Sequence, residues 1–195
     1  MKVIILAHFA VLPLAEFARE RWQSAGFSSV TIDLPTPEEN RHAGPRIAGR
    51  FLRILRENLG EDLLIAEYDA LYLRGEITAE PGVLKCCLWH AEPDATHLYS
   101  ALTPWVIAAD IAQKLVDCAH ATTRPAPRTE LQKPVKDGLL DRWIGSECQR
   151  IGIPMLCEAF FAHPPHLLQE AAQEPSIKVV HPVKTLQLAK ELLGL

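Results

Sequence analysis

The sequence lacks the apolar runs and cysteine patterns that mark membrane, secreted and zinc-bound proteins. Charges interrupt every apolar stretch before it reaches the roughly 18 or more residues of a membrane span. The apolar N-terminus has no small-residue cleavage site, and charges return between Glu16 and Arg21, which argues against a signal peptide. The five cysteines show no C-x-x-C spacing and support neither a disulfide framework nor a zinc ribbon. We therefore expect a cytoplasmic protein with reduced thiols.

The sequence also lacks an excess of positive charge and the motifs of several large enzyme classes. A net charge of -4 and a pI near 6.1 give no electrostatic footprint for nucleic acid or an anionic membrane. None of the patterns G-x-x-x-x-G-K-[ST], G-x-G-x-x-G, G-x-S-x-G and H-E-x-x-H is present. Walker-type NTPases, dinucleotide dehydrogenases, α/β-hydrolases and zincins are therefore disfavoured.

The sequence does contain an alternation of short apolar strands and amphipathic helices. The 195 residues are 48% hydrophobic and 23% charged, which suits one globular domain spanning 1–195. Predicted strands at 3–7 and 29–34 flank a predicted helix at 14–25, and a basic helix at 46–59 precedes a third strand. This order predicts an α/β fold with a mostly parallel, Rossmann-like sheet flanked by helices.

The second half of the sequence has a less regular pattern. It predicts a strand at 83–88, a helix at 104–119 with Thr103 as N-cap, a surface loop at 122–137, a helix at 139–150, a strand at 177–180 and a helix at 186–193. The sequence shows no internal repeat and no low-complexity tract.

Two carboxylates end the third predicted strand, in the segment LLIAEYDALYL at 63–73. Glu67 and Asp69 are two residues apart, so both side chains point to the same side of an extended chain. Close carboxylates on an apolar strand repel each other unless a cation neutralises them, and Mg²⁺ or Mn²⁺ prefers such oxygen ligands. A strand end at which both acids simply enter solvent is the alternative.

A histidine and a lysine follow the last predicted strand, in the segment IKVVHPVKT. His181 is a candidate third ligand for the same cation, and Lys184 could supply a positive charge to a phosphate. The alternative is a half-buried core histidine beside a surface lysine.

Two further sets of charges are candidate ligand contacts. Arg46 and Arg50 lie in the first turns of the basic helix, where the helix N-terminus already favours anions, or else they belong to a solvated face. Asp141 begins a predicted helix after Gly138, as a favourable N-terminal charge or as a substrate-binding or general-base carboxylate.

The pattern as a whole resembles the metal-dependent, nucleotide-sugar glycosyltransferases of the GT-A fold. In that family a strand–helix–strand nucleotide-binding half precedes an acidic D-x-D-like motif, and a late histidine completes the metal site. The segments LLIAEYDALYL and VVHPVK resemble these two motifs. The resemblance implies a nucleotide-binding half at 1–75 and an acceptor-side half with the late metal-binding segment at 76–195.

The resemblance also implies roles for the residues around the metal. Asp69 would bind an Mn²⁺ or Mg²⁺ ion that bridges the diphosphate of the donor, and His181 would be another ligand. Lys184 would contact the diphosphate. Glu67 would contact the ribose, the sugar or the metal through water, and here the sequence departs from the family because the first acid is a glutamate.

Three other residues match places where the family contacts its substrates. His8, just after the first strand, and Arg50 match positions that hold the nucleotide and the sugar. Asp141 matches the region that supplies an acceptor-side carboxylate. The implied function is transfer of a sugar from a nucleoside-diphosphate sugar to an acceptor hydroxyl, within a chain short enough to leave only a minimal acceptor half.

Three alternatives remain open at the level of sequence. A related nucleotidyltransferase would usually need a Gly-rich, basic loop after the first strand, and AHFAVLPLAEF offers none. A non-catalytic nucleotide-binding module would use the same site without turnover. A phage-type DNA-base glycosyltransferase would take nucleic acid as acceptor, although only the segment 122–137 offers it basic charge.

Overall fold

The computed structural model describes residues 1–40, 45–90, 99–119, 140–158 and 168–195. Its strands are β1 (Lys2–Leu6), β2 (Val30–Asp33), β3 (Leu63–Glu67), β4 (Leu71–Tyr72), β5 (Leu84–His90), β6 (Tyr99–Ile107), β7 (Met155–Cys157) and β8 (Val179–Val180). Its helices are α1 (Leu12–Ser24), α2 (Pro37–Asn40), α3 (Pro45–Glu57), α4 (Ala109–Cys118), α5 (Leu140–Ile151), α6 (Leu168–Gln173) and α7 (Leu186–Leu192). None of the helices in these ranges has the length and apolar character that a membrane span requires.

Six strands form the central sheet in the order β2-β1-β3-β6-β5-β7. Strand β1 pairs in parallel with β2 and β3, and β5 pairs in parallel with β7. Strand β6 is antiparallel to both of its neighbours, β3 and β5. All strands except β6 therefore run in one direction, which confirms the prediction of a mostly parallel sheet flanked by helices.

Helices cover both faces of the sheet because the buried residues of its strands alternate. Ile4 and Ile65 pack on one face with residues of α3, α4 and α5, and Val3, Ile5 and Leu64 pack on the other with α1. Strands buried on both faces read as continuous apolar runs, as these do. A third apolar cluster lies beneath α6 and α7.

A second, two-stranded sheet joins the end of the chain to the segment after β3. Leu71 pairs with Val180 and Tyr72 with Val179 in antiparallel register. Beyond this pairing, the backbone N–H of Val183 donates to the carbonyl of Asp69 at 2.8 Å. The small sheet thus holds residues 181–184 alongside the acidic motif.

The predicted helix at 104–119 is wrong over its first five residues. Thr103 and Pro104 lie inside β6, and α4 begins only at Ala109. A threonine before a proline is typical of a helix start, but the aromatic and β-branched run that follows pairs instead with β3, with Trp105 opposite Ile65. The predicted surface loop at 122–137 lies outside the described residues.

Candidate functional site

The carboxyl ends of β1, β2 and β3 meet at one edge of the sheet. Leu6 lies in register with both Asp33 and Glu67, the last residues of the two neighbouring strands. Two further hydrogen bonds continue the pairing, from Ala7 N to Asp33 O at 3.1 Å and from Tyr68 N to Leu6 O at 2.9 Å. This is the edge at which open α/β sheets bind their ligands.

Four charged side chains form a carboxylate–histidine cluster at this edge: Glu67, Asp69, His181 and Lys184. One ligand atom from each of Glu67, Asp69 and His181 lies within 4.8 Å of the other two. His181 Nε2 is 3.2 Å from Glu67 Oε2 and 3.1 Å from Asp69 Oδ1, and Lys184 Nζ pairs with Asp69 Oδ2. The structure therefore brings together the four residues of the two short sequence motifs.

The backbone fixes the cluster on both sides. Asp69 lies two residues after the end of β3, and its carbonyl accepts the hydrogen bond from Val183, which holds the segment carrying His181 and Lys184 beside it. The N–H of Glu67 donates to the hydroxyl of Thr103 in β6 at 2.9 Å. A side-chain hydroxyl thus takes the place of a strand carbonyl where the pairing of β3 with β6 ends.

Burial and charge have opposite effects on the ionisation of these groups. Burial raises the pKa of Asp69, whose side chain is 1% exposed, but hydrogen bonds and charges of His181 and Lys184 outweigh it and hold the pKa below its ordinary value. Burial lowers the pKa of His181, yet its hydrogen bonds to Asp69 and Glu67 raise the pKa to about 9. The imidazole therefore carries a proton between the two carboxylates.

The donor atoms of the cluster suit a divalent cation. Two carboxylates and one imidazole are an oxygen-rich set of the kind that Mn²⁺ and Mg²⁺ accept. Adjacent ligands of an octahedral ion with bonds of about 2.1 Å lie about 3 Å apart, close to the 3.1 and 3.2 Å that separate His181 Nε2 from the two carboxylates. The residues present fit such an ion once His181 gives up its proton.

His8 and Tyr68 lie beside the cluster. His8 is exposed after β1, and its ring meets the ring of Tyr68 edge to face, with 5.6 Å between centroids. Lys184 Nζ is 5.8 Å from the centroid of the Tyr68 ring. His8 therefore lies on the same edge as the acidic motif, and both His8 and Lys184 contact the ring of Tyr68.

A second charged group, the arginine cluster, joins the end of β2 to α3 and consists of Asp33, Glu39, Arg50 and Arg53. Arg50 Nε donates to Asp33 Oδ2 at 2.6 Å, and Arg53 Nη2 donates to Asp33 Oδ1 at 3.0 Å. Arg53 also pairs with Glu39 at 3.1 Å. Arg50 thus lies at the carboxyl edge, but its guanidinium is bound to Asp33, and the side chain of Arg46 lies outside the described part of the structure.

Asp141 lies in the first turn of α5, which packs against β6. Burial raises the pKa of its carboxyl, and the charge of Glu67 raises it further, against hydrogen bonds from the backbone N–H groups of Arg142 and of Asp141 itself. Asp141 is therefore a partly buried carboxyl group whose pKa responds to the charge of Glu67.

Two residues of this edge, Asp33 and Thr103, were not predicted from the sequence as site residues. Asp33 follows the apolar run of β2 as Glu67 follows that of β3, so the criterion that identified the acidic motif could also have found it. Thr103 had no such signal because the threonine–proline pair was assigned to a helix start.

Comparison with solved structures identifies the fold. No protein-family profile and no curated protein matches the sequence. The chain is similar over its full length, and over the full length of the other chain, to a glycosyltransferase involved in the glycosylation of the major capsid of PBCV-1, with a TM-score of 0.54 and 13% identity. It is also similar to the glycosyltransferase GlyE of Streptococcus pneumoniae TIGR4, with a TM-score of 0.53 and 13% identity, over 95% of this chain and 55% of GlyE. The chain has the fold of these glycosyltransferases.

Proposed function

We propose that this protein is a glycosyltransferase that moves a sugar from a nucleoside-diphosphate sugar to an acceptor hydroxyl with the help of Mn²⁺ or Mg²⁺. The observation that carries the proposal is the approach of Glu67, Asp69 and His181 to within 4.8 Å at the carboxyl edge of the sheet. The fold shared with two glycosyltransferases supports this reaction over the other chemistries that such an edge supports.

Asp69 and His181 are the residues that would hold the cation, with Glu67 beside them. A cation bound there supplies positive charge to the diphosphate that leaves when the bond to the sugar breaks. Lys184 can add to this charge, because its side chain is 61% exposed and can turn from Asp69 towards a phosphate oxygen. His8, exposed on the same edge, is a candidate contact for the nucleotide.

Asp141 is the candidate general base for the acceptor. A base that takes a proton from a hydroxyl works best when its pKa is near the operating pH. Burial and the charge of Glu67 move the pKa of Asp141 upwards from the ordinary carboxyl range. Its position on α5, in the second half of the chain, supports a role on the acceptor side of the cluster.

Calorimetric titration tests the proposal. We would titrate UDP, GDP and CDP into the protein, each with and without Mn²⁺, and repeat the measurement on Asp69→Ala. We expect one nucleotide to bind only with Mn²⁺, and we expect this binding to vanish in Asp69→Ala because the buried ligand oxygen is gone. Asp110→Ala is the matched control, since Asp110 binds the N–H of Gly82 beyond the far end of β6 and should leave binding unchanged.

The same titrations distinguish the alternatives. No binding of any nucleotide by the wild type with Mn²⁺ would contradict the proposal. Binding that persists in Asp69→Ala would place the nucleotide elsewhere. The nucleoside-diphosphate sugar that carries the binding nucleotide should then be hydrolysed slowly, with water in place of the acceptor, to free sugar and nucleoside diphosphate, which chromatography measures. A non-catalytic module would bind this donor and leave it intact.

A further inference from the structure

We propose that Arg50 is a positioning residue, which acts with Asp33 to fasten the ends of β1 and β2 at the nucleotide-binding edge and does not itself contact the diphosphate. This inference rests on the proposed function of that edge. It assigns to Arg50 a different role from the direct contact that the family resemblance implies.

The hydrogen bonds of Arg50 support this role. Its Nη2 donates to two backbone carbonyls, that of Ala7 at 3.1 Å and that of Asp33 at 2.5 Å. Its Nε donates to the Asp33 carboxylate at 2.6 Å. Three of the five N–H groups of the guanidinium are therefore committed to the ends of two adjacent parallel strands.

The surroundings of Arg50 keep it in this position. Its side chain is 15% exposed and that of Asp33 is 16% exposed, so both charges are largely removed from water and depend on each other. Arg53 approaches the same carboxylate at 3.0 Å and is itself held by Glu39. Turning Arg50 towards a phosphate would leave a largely buried carboxylate with one fewer partner.

One of the two carbonyls that Arg50 holds, that of Ala7, directly precedes a residue of the proposed site. Ala7 is followed by His8, and the Ala7 N–H donates back to the carbonyl of Asp33, so β1 and β2 are tied twice at this level. His8 in turn contacts Tyr68 of the acidic motif. Loosening Arg50 would therefore shift His8 relative to the cation-binding residues without removing any group from them.

Nucleotide affinity of single variants separates positioning from direct contact. We would measure by calorimetry, with Mn²⁺, the dissociation constant of the nucleoside diphosphate that the wild type binds. If Arg50 positions the edge through Asp33, Asp33→Asn should weaken binding about tenfold, as the loss of one charged hydrogen bond does. Arg50→Ala should weaken it similarly, and the double variant should be no weaker than either single variant. If Arg50 contacts the phosphates, Asp33→Asn should leave binding unchanged or tighten it.

A conservative variant and a control complete the test. Arg50→Lys keeps the charge but presents its donors from a single nitrogen, without the planar fork with which Nε and Nη2 reach both strand ends. Positioning therefore predicts no rescue, whereas a simple charge contact with phosphate predicts rescue. Glu39→Gln is the matched control, because Glu39 pairs with Arg53 and not with Arg50. A purely structural loss would lower the fraction of protein that binds and leave the dissociation constant of the rest unchanged.

Hydrogen exchange gives a readout that needs no ligand. The Ala7 amide, which donates to Asp33 O, should exchange faster in Asp33→Asn and Arg50→Ala than in Glu39→Gln. If Asp33→Asn changed neither the exchange rate of the Ala7 amide nor the nucleotide affinity, the positioning role of Arg50 would be overturned while the proposed function would stand. A wild type that binds no nucleoside diphosphate would overturn it together with the proposed function, so the two failures are distinguishable.

Discussion

Two charged clusters lie at the same edge of the sheet, and they are built from different partners. The arginine cluster neutralises Asp33 with two guanidinium groups from one helix, Arg50 and Arg53. The carboxylate–histidine cluster neutralises Asp69 with an imidazole and an ammonium group from a strand end far along the chain. Both clusters hold their carboxylates at hydrogen-bonding distance, so geometry alone does not distinguish a structural cluster from a functional one.

The two clusters differ in whether their positive charges can be removed from the carboxylate, either by loss of a proton or by movement of the side chain. A guanidinium keeps its proton in proteins, and the contacts of Arg53 with Glu39 and Asp33 raise its pKa still further against the effect of burial. The imidazole of His181 can give up its proton to become a ligand, and Lys184 is largely exposed and can move away. Only the carboxylate–histidine cluster can therefore exchange its own positive charges for a metal ion.

Removal of each central aspartate should show this difference most strongly. Asp33→Ala leaves the guanidinium groups of Arg50 and Arg53 without this carboxylate. Neither can lose its proton, and the side chain of Arg50 is only 15% exposed. We expect a loss of about 2–4 kcal/mol in the free energy of unfolding, below the roughly 3–5 kcal/mol of a broken, fully buried pair. Asp69→Ala in metal-free protein should cost only about 1–2 kcal/mol, since His181 can lose its proton and Lys184 can enter water.

Urea denaturation of the two variants without metal measures these free energies. Asp110→Ala, which removes an exposed aspartate, gives the background cost of such a substitution. Equal losses for Asp33→Ala and Asp69→Ala would contradict the distinction between fixed and exchangeable charges. A larger loss of unfolding free energy for Asp69→Ala than for Asp33→Ala would mean that the charges around Asp69 are the fixed ones.

Sequence patterns predicted the first half of this edge well because its signals are local. Each of β1, β2 and β3 is a short apolar run, and the residues that matter follow the run directly, as Glu67 does. Gly60, with φ of +87°, lies three residues after the end of α3, in a left-handed conformation that glycine adopts without strain. Parallel pairing then brings the strand ends to one edge without further information.

No pattern in the sequence around either residue predicts that His181 lies next to Asp69. This proximity depends on the pairing of β4 with β8, two strands of two residues each that lie far apart in the sequence. The family resemblance suggested it, and periodicity could not have done so. Thr103 was predicted as a helix N-cap and not as a residue of the site for a related reason. Its conformation is decided by the pairing of β6 with β3, which is also a contact between distant parts of the sequence.

Thr103 offers a sharper test of the carboxylate–histidine cluster, because a neutral hydroxyl supports the backbone of Glu67. Thr103→Val keeps the shape of the side chain but leaves the Glu67 N–H without its acceptor, and we expect a loss of about 1–3 kcal/mol in stability. The affinity for Mn²⁺ should fall by about 10–100-fold, as for other residues that support metal ligands.

Thr103→Ser is the matched control for this prediction. It retains the hydroxyl, and its affinity for Mn²⁺ should stay close to that of the wild type. Calorimetry with Mn²⁺ alone and urea denaturation measure the two effects separately. A Thr103→Val protein that loses stability but binds Mn²⁺ as tightly as the wild type would show that Thr103 supports the sheet and not the metal ligands.

The smallest effect should come from the outer part of the arginine cluster, at Glu39. Thr36 N donates to Glu39 Oε2 at 2.8 Å and Glu39 N donates to Thr36 Oγ1 at 3.2 Å, a reciprocal cap at the start of α2 that a glutamine can also make. Glu39→Gln therefore removes the charge opposite Arg53 with little change in the cap. A partly exposed ion pair of this kind contributes less than about 1 kcal/mol.

The dependence of this contribution on pH follows from the pKa of Glu39. Burial raises that pKa, but hydrogen bonds and charge from Arg53, with the N–H of Thr36, outweigh it and hold the pKa below its ordinary value of 4.5. A depressed carboxyl pKa stabilises the folded protein above the unfolded pKa, and the gain is lost as the pH falls through the folded one. The difference in unfolding free energy between wild type and Glu39→Gln should thus be full at pH 7 and should shrink below pH 4.5, as urea denaturation across this range can measure. A difference that stays constant would mean that Arg53 is neutralised by Asp33 and Glu57 alone, and the arginine cluster would then end at the strand and not at α2.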